Sequence, residues 1–151
     1  MTPPDGPAMS RAWAMPSADT FSIPPIAALL DRWLDDDYVS VDPFARSSTR
    51  GTVTNDLDPT TAAQHHMEAS AFLAMLAADG QIAQAVLFDP PYSPRQISEL
   101  YKRVGLMCST AETQNGRLYK AVRDGLDDLL VPSGIAISCG WNSSGFGAAR
   151  G

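Results

Sequence analysis

The sequence predicts an α/β domain built on a mostly parallel sheet. Three observations carry this. The run Ile82-Ala-Gln-Ala-Val-Leu-Phe88 is apolar nearly throughout, as a strand buried on both faces must be. Strand-like runs alternate with stretches of helical period, the order that covers a parallel sheet with helices. The 151 residues, 44% hydrophobic and 19% charged, suffice for one core of ordinary size.

Residues 1–20 hold four of the twelve prolines and no periodicity, which predicts an extended or disordered arm ahead of a domain over 21–151. Pro24-Pro25 opens the first helix, where a missing N–H costs nothing, and Ile26, Leu29, Leu30, Trp33 and Leu34 follow at helical spacing. The helix should end near Asp35-Asp36-Asp37, although acids at a C-terminus oppose the helix dipole. Tyr38–Asp42 and Thr52–Leu57 read as short strands, with residues 64–68 as a candidate third. Ser70 can cap a helix through Phe72, Leu73, Met75 and Leu76 that stops at Gly80.

After the apolar strand, Ser93-Pro94-Arg95-Gln96 has the form of a capping box. Ile97, Leu100, Tyr101 and Val104 then make a helical stripe that ends at Gly105. A further helix covers about 116–130 through Leu118, Val122, Leu126 and Leu129, and stops at Pro132-Ser-Gly134. The last strand is Ile135–Cys139. The connections from first to second strand, about nine residues, and from second to third are below the ~12 that a helical crossover needs. Turns must replace helices there.

Every apolar run is broken well short of the ~18 residues that span a bilayer, so no membrane partner is expected. The N-terminus lacks the basic start and apolar stretch of a secretory signal. Two cysteines, Cys108 and Cys139, supply no disulfide framework, and a reducing cytoplasm is the natural compartment. Adjacent His65 and His66 in a strand would point to opposite faces, and no Cys-x-x-Cys pair exists, which argues against zinc. Gly145-Phe-Gly147 is too weak a glycine pattern to name a phosphate site.

A net charge of -6 argues against a domain that simply coats nucleic acid. The charge is uneven, however. Residues 1–89 hold twelve acids against four bases, whereas residues 95–123 hold six of the eleven bases (Arg95, Lys102, Arg103, Arg117, Lys120, Arg123) against Glu99 and Glu112. Solvated helix faces are the bland explanation of such charges.

The carboxyl end of the apolar strand reads Asp89-Pro90-Pro91-Tyr92. A rigid turn is the ordinary meaning of Pro-Pro after Asp. Its placement adds more, because open α/β sheets bind ligands outside the carboxyl ends of their strands. Asp89 and the Pro90 carbonyl can accept the two N–H bonds of a planar exocyclic amine. The prolines fix the backbone without competing donors, and Tyr92 offers a face on which an extruded base can stack.

Asp89-Pro-Pro-Tyr92 resembles the catalytic motif of the S-adenosylmethionine-dependent amino methyltransferases, above all those acting on adenine N6 in DNA. The longer string through Tyr101, with Trp13-Ala-Met-Pro and Thr20–Ile26 upstream and Gly140-Trp-Asn-Ser-Ser144 downstream, is similar to a small branch carried by phages and mobile elements. The resemblance covers roughly residues 11–151. It implies a minimal Rossmann-like methyltransferase in the cytoplasm of a bacterium or phage-infected host, with S-adenosyl-L-methionine as cofactor and DNA as partner.

The resemblance also implies roles. Phe21 and Ile23 fall in the segment that closes over the methionine part of the cofactor, though a hydrophobic staple for the next helix explains them too. Asp42, Pro43 and Phe44 match a loop that meets the cofactor's amino-acid end. Arg46-Ser47-Ser48 departs from the family there, standing where a glycine-rich turn is expected. Asp56, with Asp58 as competitor, falls where an acid holds ribose hydroxyls, and Glu68 where an acid meets the cofactor adenine. Glu68 alone would read as a solvated acid near a helix start. Arg95, Lys102, Arg103, Trp141 and Asn142 are the candidates for nucleic acid, with Trp141 a wall of the base pocket.

The implied reaction is methyl transfer to adenine N6 in DNA, without a metal. The alternatives are cytosine N4, an RNA adenine, or a non-catalytic remnant that binds cofactor or DNA. No separate target-recognition segment is evident, so sequence specificity would come from the arm, from residues 95–123 or from another chain. Sheets of the resembled type continue past the strand at 135–139 with an antiparallel pair. This predicts an incomplete domain, completed by a further C-terminal segment or by a second copy.

Overall fold

The apolar run at the middle of the chain forms the centre of the sheet. In the computed structural model, which describes residues 10–15, 17–91, 94–107, 116–140 and 146, strand β3 (Ala83–Phe88) lies between β1 (Ser40–Asp42) and β4 (Leu130–Ser138). β2 (Val53–Thr54) flanks β1 on its other side, giving the order β2-β1-β3-β4 with every pairing parallel. Helices α1 (Pro24–Trp33), α2 (Ala69–Ala78), α3 (Pro94–Arg103) and α4 (Gly116–Leu129) complete an α/β, Rossmann-like fold. None of these helices is long and apolar enough to cross a membrane.

Alternation along β3 explains the layering. Val86 and Phe88 face a core with Phe72, Leu73 and Leu76 of α2 and Val122, Leu126 and Leu129 of α4. Leu87 points to the opposite face, where it meets Phe21, Leu30 of α1 and Ile137 of β4. Ile82, expected in the strand, is 56% exposed and precedes it.

α1 ends at Trp33 with Leu34 as its C-cap, so the three acids lie just beyond the helix rather than in its last turn. Asp35 instead makes a turn, its Oδ1 accepting from the Asp37 N–H (3.1 Å) and its carbonyl from the Tyr38 N–H (3.0 Å). Leu30 is buried, with Ile26 and Leu34 packed on the same cluster. Leu29 and Trp33 of the expected stripe remain exposed, and the Arg32 guanidinium lies over the Trp33 ring. Residues 10–15 carry no regular structure and leave Trp13 and Met15 exposed.

Turns alone connect β1 to β2 and β2 to the next parallel contact, as the short connections require. The candidate strand at 64–68 is reduced to one parallel bridge, Asn55 with His65. The helix cap expected of Ser70 falls to Glu68, because the chain is still extended at Glu68 and Ser70 already lies inside α2. β4 begins at Leu130, five residues before the expected start. Pro132, with no N–H to donate, and Ser133, at φ 65°, form an irregularity within the strand rather than a break before it.

The chain leaves β1 toward β2 on one side and β3 toward β4 on the other. Such a reversal opens a crevice outside the carboxyl ends of the two central strands. Asp42 ends β1 and Asp89 follows β3, so both stand at its mouth.

Candidate functional site

A cleft open to solvent lies at this crevice. Pro43 and Phe44 line it from the loop after β1, Asp56 and Leu57 from the loop after β2, and Met67 and Glu68 from the approach to α2. Pro91 and one face of α3 (Ile97, Leu100, Tyr101) form the remaining wall. Five residues singled out by sequence, Pro43, Phe44, Asp56, Glu68 and Pro91, therefore meet in one place. The walls are largely apolar with acids at two points, a composition suited to a planar ring with polar substituents.

Asn55, which sequence reasoning missed, fixes the loops of this cleft. It is fully buried; its Nδ2 donates to the carbonyls of Pro43 (3.2 Å) and Met67 (3.0 Å), and its Oδ1 accepts from the Met67 N–H (2.9 Å). The only available signal was an amide side chain at the end of a predicted strand.

Asp42 is completely buried. Its Oδ1 accepts from the Phe44 N–H (3.1 Å), whereas Oδ2 has no hydrogen-bond partner among the described residues. Burial above all pushes this carboxyl up to about 8; the Phe44 N–H opposes the shift, and the charges of Asp89 and Asp56 add to it. Gly51 backs against it, since a Cβ at residue 51 would lie 2.9 Å from Asp42 Cβ. Cys139, just after β4, joins the same group. Its thiol is pushed up to about 11 by burial, then by Asp89 and Asp42.

Both carboxylate oxygens of Asp56 serve its own surroundings, Oδ2 accepting from the Arg46 N–H (3.0 Å) and Oδ1 from the Asp58 N–H (2.9 Å). Arg46, at φ 52°, adopts a left-handed conformation that glycine usually takes. Its guanidinium donates to the Ala18 carbonyl. Glu68 caps α2, Oε2 accepting from the Ser70 hydroxyl and the N–H groups of Ser70 (2.9 Å) and Ala71 (3.3 Å). None of these bonds uses Oε1.

Asp58, the competitor to Asp56, is also buried but faces α3. The Thr60 hydroxyl (2.7 Å) and N–H (2.9 Å), then Arg103, hold its carboxyl below the usual range. Arg103 is thus tied to Asp58 at 3.5 Å, and Arg95 pairs with Glu99 at 2.7 Å, one helical turn away. Lys102 is exposed. Phe21 is a core residue on the opposite face of the sheet, where it clusters with Leu30, and Ile23, half-buried, precedes α1. Pro90 is buried and Asp89 half-buried. Tyr92, Ser93, Cys108, Trp141, Asn142, Gly145 and Gly147 lie outside the described residues.

The side chains present fit S-adenosylmethionine. The orphaned Oδ2 of Asp42 suits an ammonium, the apolar walls suit a purine, and Glu68 Oε1 suits an amino donor on that ring. Compared with known proteins, the chain matches no family model, no curated protein and no solved structure.

Proposed function

We propose that the chain binds S-adenosyl-L-methionine in this cleft and transfers a methyl group to the exocyclic N6 amine of adenine in DNA. The observation that carries the reading is the convergence of the Asp42-Pro43-Phe44 and Asp89-Pro90-Pro91 segments at the reversal point of the sheet. One supplies a buried acid for a cationic ligand end; the other supplies acceptors for an amine.

An aromatic amine is a poor nucleophile because its lone pair is delocalised into the ring. Acceptance of its two N–H bonds by the Asp89 carboxylate and the Pro90 carbonyl favours a more tetrahedral nitrogen with a localised lone pair. When bound, the cofactor supplies a methyl on a sulfonium, whose sulfur takes the electron pair of the breaking bond while the amine lone pair forms the new one. Asp89 keeps the amine oriented as it becomes cationic, and the surplus amine proton passes to solvent. Orientation supplies much of the rate. Arg95, Lys102 and Arg103 stand on α3 beside the cleft, Arg95 paired with Glu99 of the same helix and Arg103 with Asp58 of the loop after β2, and phosphate can compete for the arginines.

A non-catalytic cofactor-binding or DNA-binding remnant is favoured by one observation, the use of both Asp56 oxygens within its own loops. Calorimetric titration with S-adenosylmethionine, followed by transfer of labelled methyl to adenine-only DNA, cytosine-only DNA and adenine-containing RNA, separates the readings. Binding with transfer to adenine DNA alone is expected. Transfer to cytosine DNA or to RNA would redirect the substrate, binding without transfer would favour the remnant, and absence of binding would overturn every cofactor reading.

A further inference from the structure

Asp42 presents a buried acid with half of its hydrogen-bonding capacity unmet. It is fully buried, and among the described residues Oδ1 has one backbone partner and Oδ2 has none. Among the described residues, the ionisable groups that interact with it from neighbouring elements are Asp56 after β2, Asp89 after β3 and Cys139 after β4. None of them is a cation. The nearby arginines are directed elsewhere, Arg46 to the Ala18 carbonyl and Arg50 to Asp31. A carboxylate in such surroundings lacks both solvation and a counter-charge, so the neutral acid is the stable form in the free protein.

We propose that Asp42 is a proton-exchange site, at which uptake of a ligand's ammonium group beside Oδ2 expels one proton from the carboxyl to solvent. The balance is simple. A neutral acid and an ammonium ion become a carboxylate–ammonium pair and one released proton, with no change in redox state and no bond to carbon formed. The cationic ligand end brings the counter-charge that the site lacks, and the charge-assisted bond replaces an unpaired oxygen. This rests on the cofactor reading above for the identity of the ligand, but it adds a linkage between binding and pH that the reading does not require.

The sign follows from the free acid. Below about 8 the Asp42 carboxyl holds its proton, so binding must remove it, and affinity falls as pH falls. Calorimetry in two buffers of different ionisation heat provides the test, with S-adenosylhomocysteine and with 5′-methylthioadenosine, which lacks the amino-acid end. At pH 7 S-adenosylhomocysteine should release close to one proton, with Kd rising about tenfold per pH unit between 7 and 6. Methylthioadenosine should bind with no proton release and no such dependence. Asp42→Asn, which keeps the side-chain shape but has no proton to lose, should bind S-adenosylhomocysteine without release.

S-adenosylhomocysteine binding with no proton release, or release that persists in Asp42→Asn, would overturn the proposal while leaving the cofactor reading intact. Equal proton release by methylthioadenosine would overturn it too. Failure of both ligands to bind would remove the cofactor reading and the proposal together.

Discussion

The side-chain amide of Asn55 donates to the Pro43 carbonyl at 3.2 Å, tying the end of β2 to the loop that leaves β1. The same amide holds Met67 through both its oxygen and its nitrogen. Three cleft-forming segments, distant in sequence, thus depend on one buried side chain.

Asn55→Ala should therefore destabilise the fold by about 2 kcal/mol, because it removes the side-chain partner of the buried Pro43 carbonyl and of the half-buried Met67 carbonyl and N–H. Urea unfolding measures this. A loss below about 0.5 kcal/mol, the range of an ordinary surface substitution, would show that the amide does not organise the cleft.

Gly51→Ala should move Asp42 rather than merely crowd it. The added Cβ would lie 2.9 Å from Asp42 Cβ and 3.4 Å from the Asp42 nitrogen, both on a central strand with no room to yield. Overpacking of this kind costs about 1–3 kcal/mol. Thermal unfolding should show a lowered midpoint, and cofactor titration a weakened affinity; unchanged values for both would remove the positioning role given to Gly51.

Stability of the ligand-free protein should depend on pH through Asp42. Its carboxyl is raised from 3.8 to about 8 on folding, so the folded state binds the proton more tightly than the unfolded state does. The resulting stabilisation is fully present below the unfolded value, is lost progressively as pH rises, and is gone above about 8. Between pH 5 and 7 this group contributes a decline of up to about 1.4 kcal/mol per pH unit. Unfolding of the native chain and of Asp42→Asn across this range checks it: the variant should show a shallower decline, and identical slopes would place the titrating proton elsewhere.

Much of the fold is legible in the sequence where a single physical signal dominates. The apolar run before Asp89 fixes the centre of a parallel sheet, and the short connection from β1 to β2 leaves no room for a crossover helix, whereas α2 supplies one between β2 and β3. Boundaries fail where two signals compete. Pro132 and Gly134 read as a helix stop followed by a loop, yet backbone pairing carries β4 through them with an irregularity. Phe21 shows the same ambiguity, since a residue next to a proposed cofactor segment and a core staple look alike until the face of the sheet is known. The convergence of Pro43, Phe44, Asp56, Glu68 and Pro91 follows from motif order, whereas the part played by Asn55 depends on contacts between remote loops. Likewise, the upward shift of the Asp42 carboxyl depends on burial, which no sequence pattern records.

Detection of N6-methyladenine by mass spectrometry tests the proposed chemistry most directly, using adenine-containing duplex DNA incubated with S-adenosylmethionine and either the native chain or Asp89→Ala. The native chain should produce the modified base, and the variant should produce none while binding the cofactor with unchanged affinity, since Asp89 is assigned to the amine and acts in the chemical step. Near-normal methylation by Asp89→Ala, or a native chain that binds cofactor and leaves adenine unmodified, would contradict that assignment.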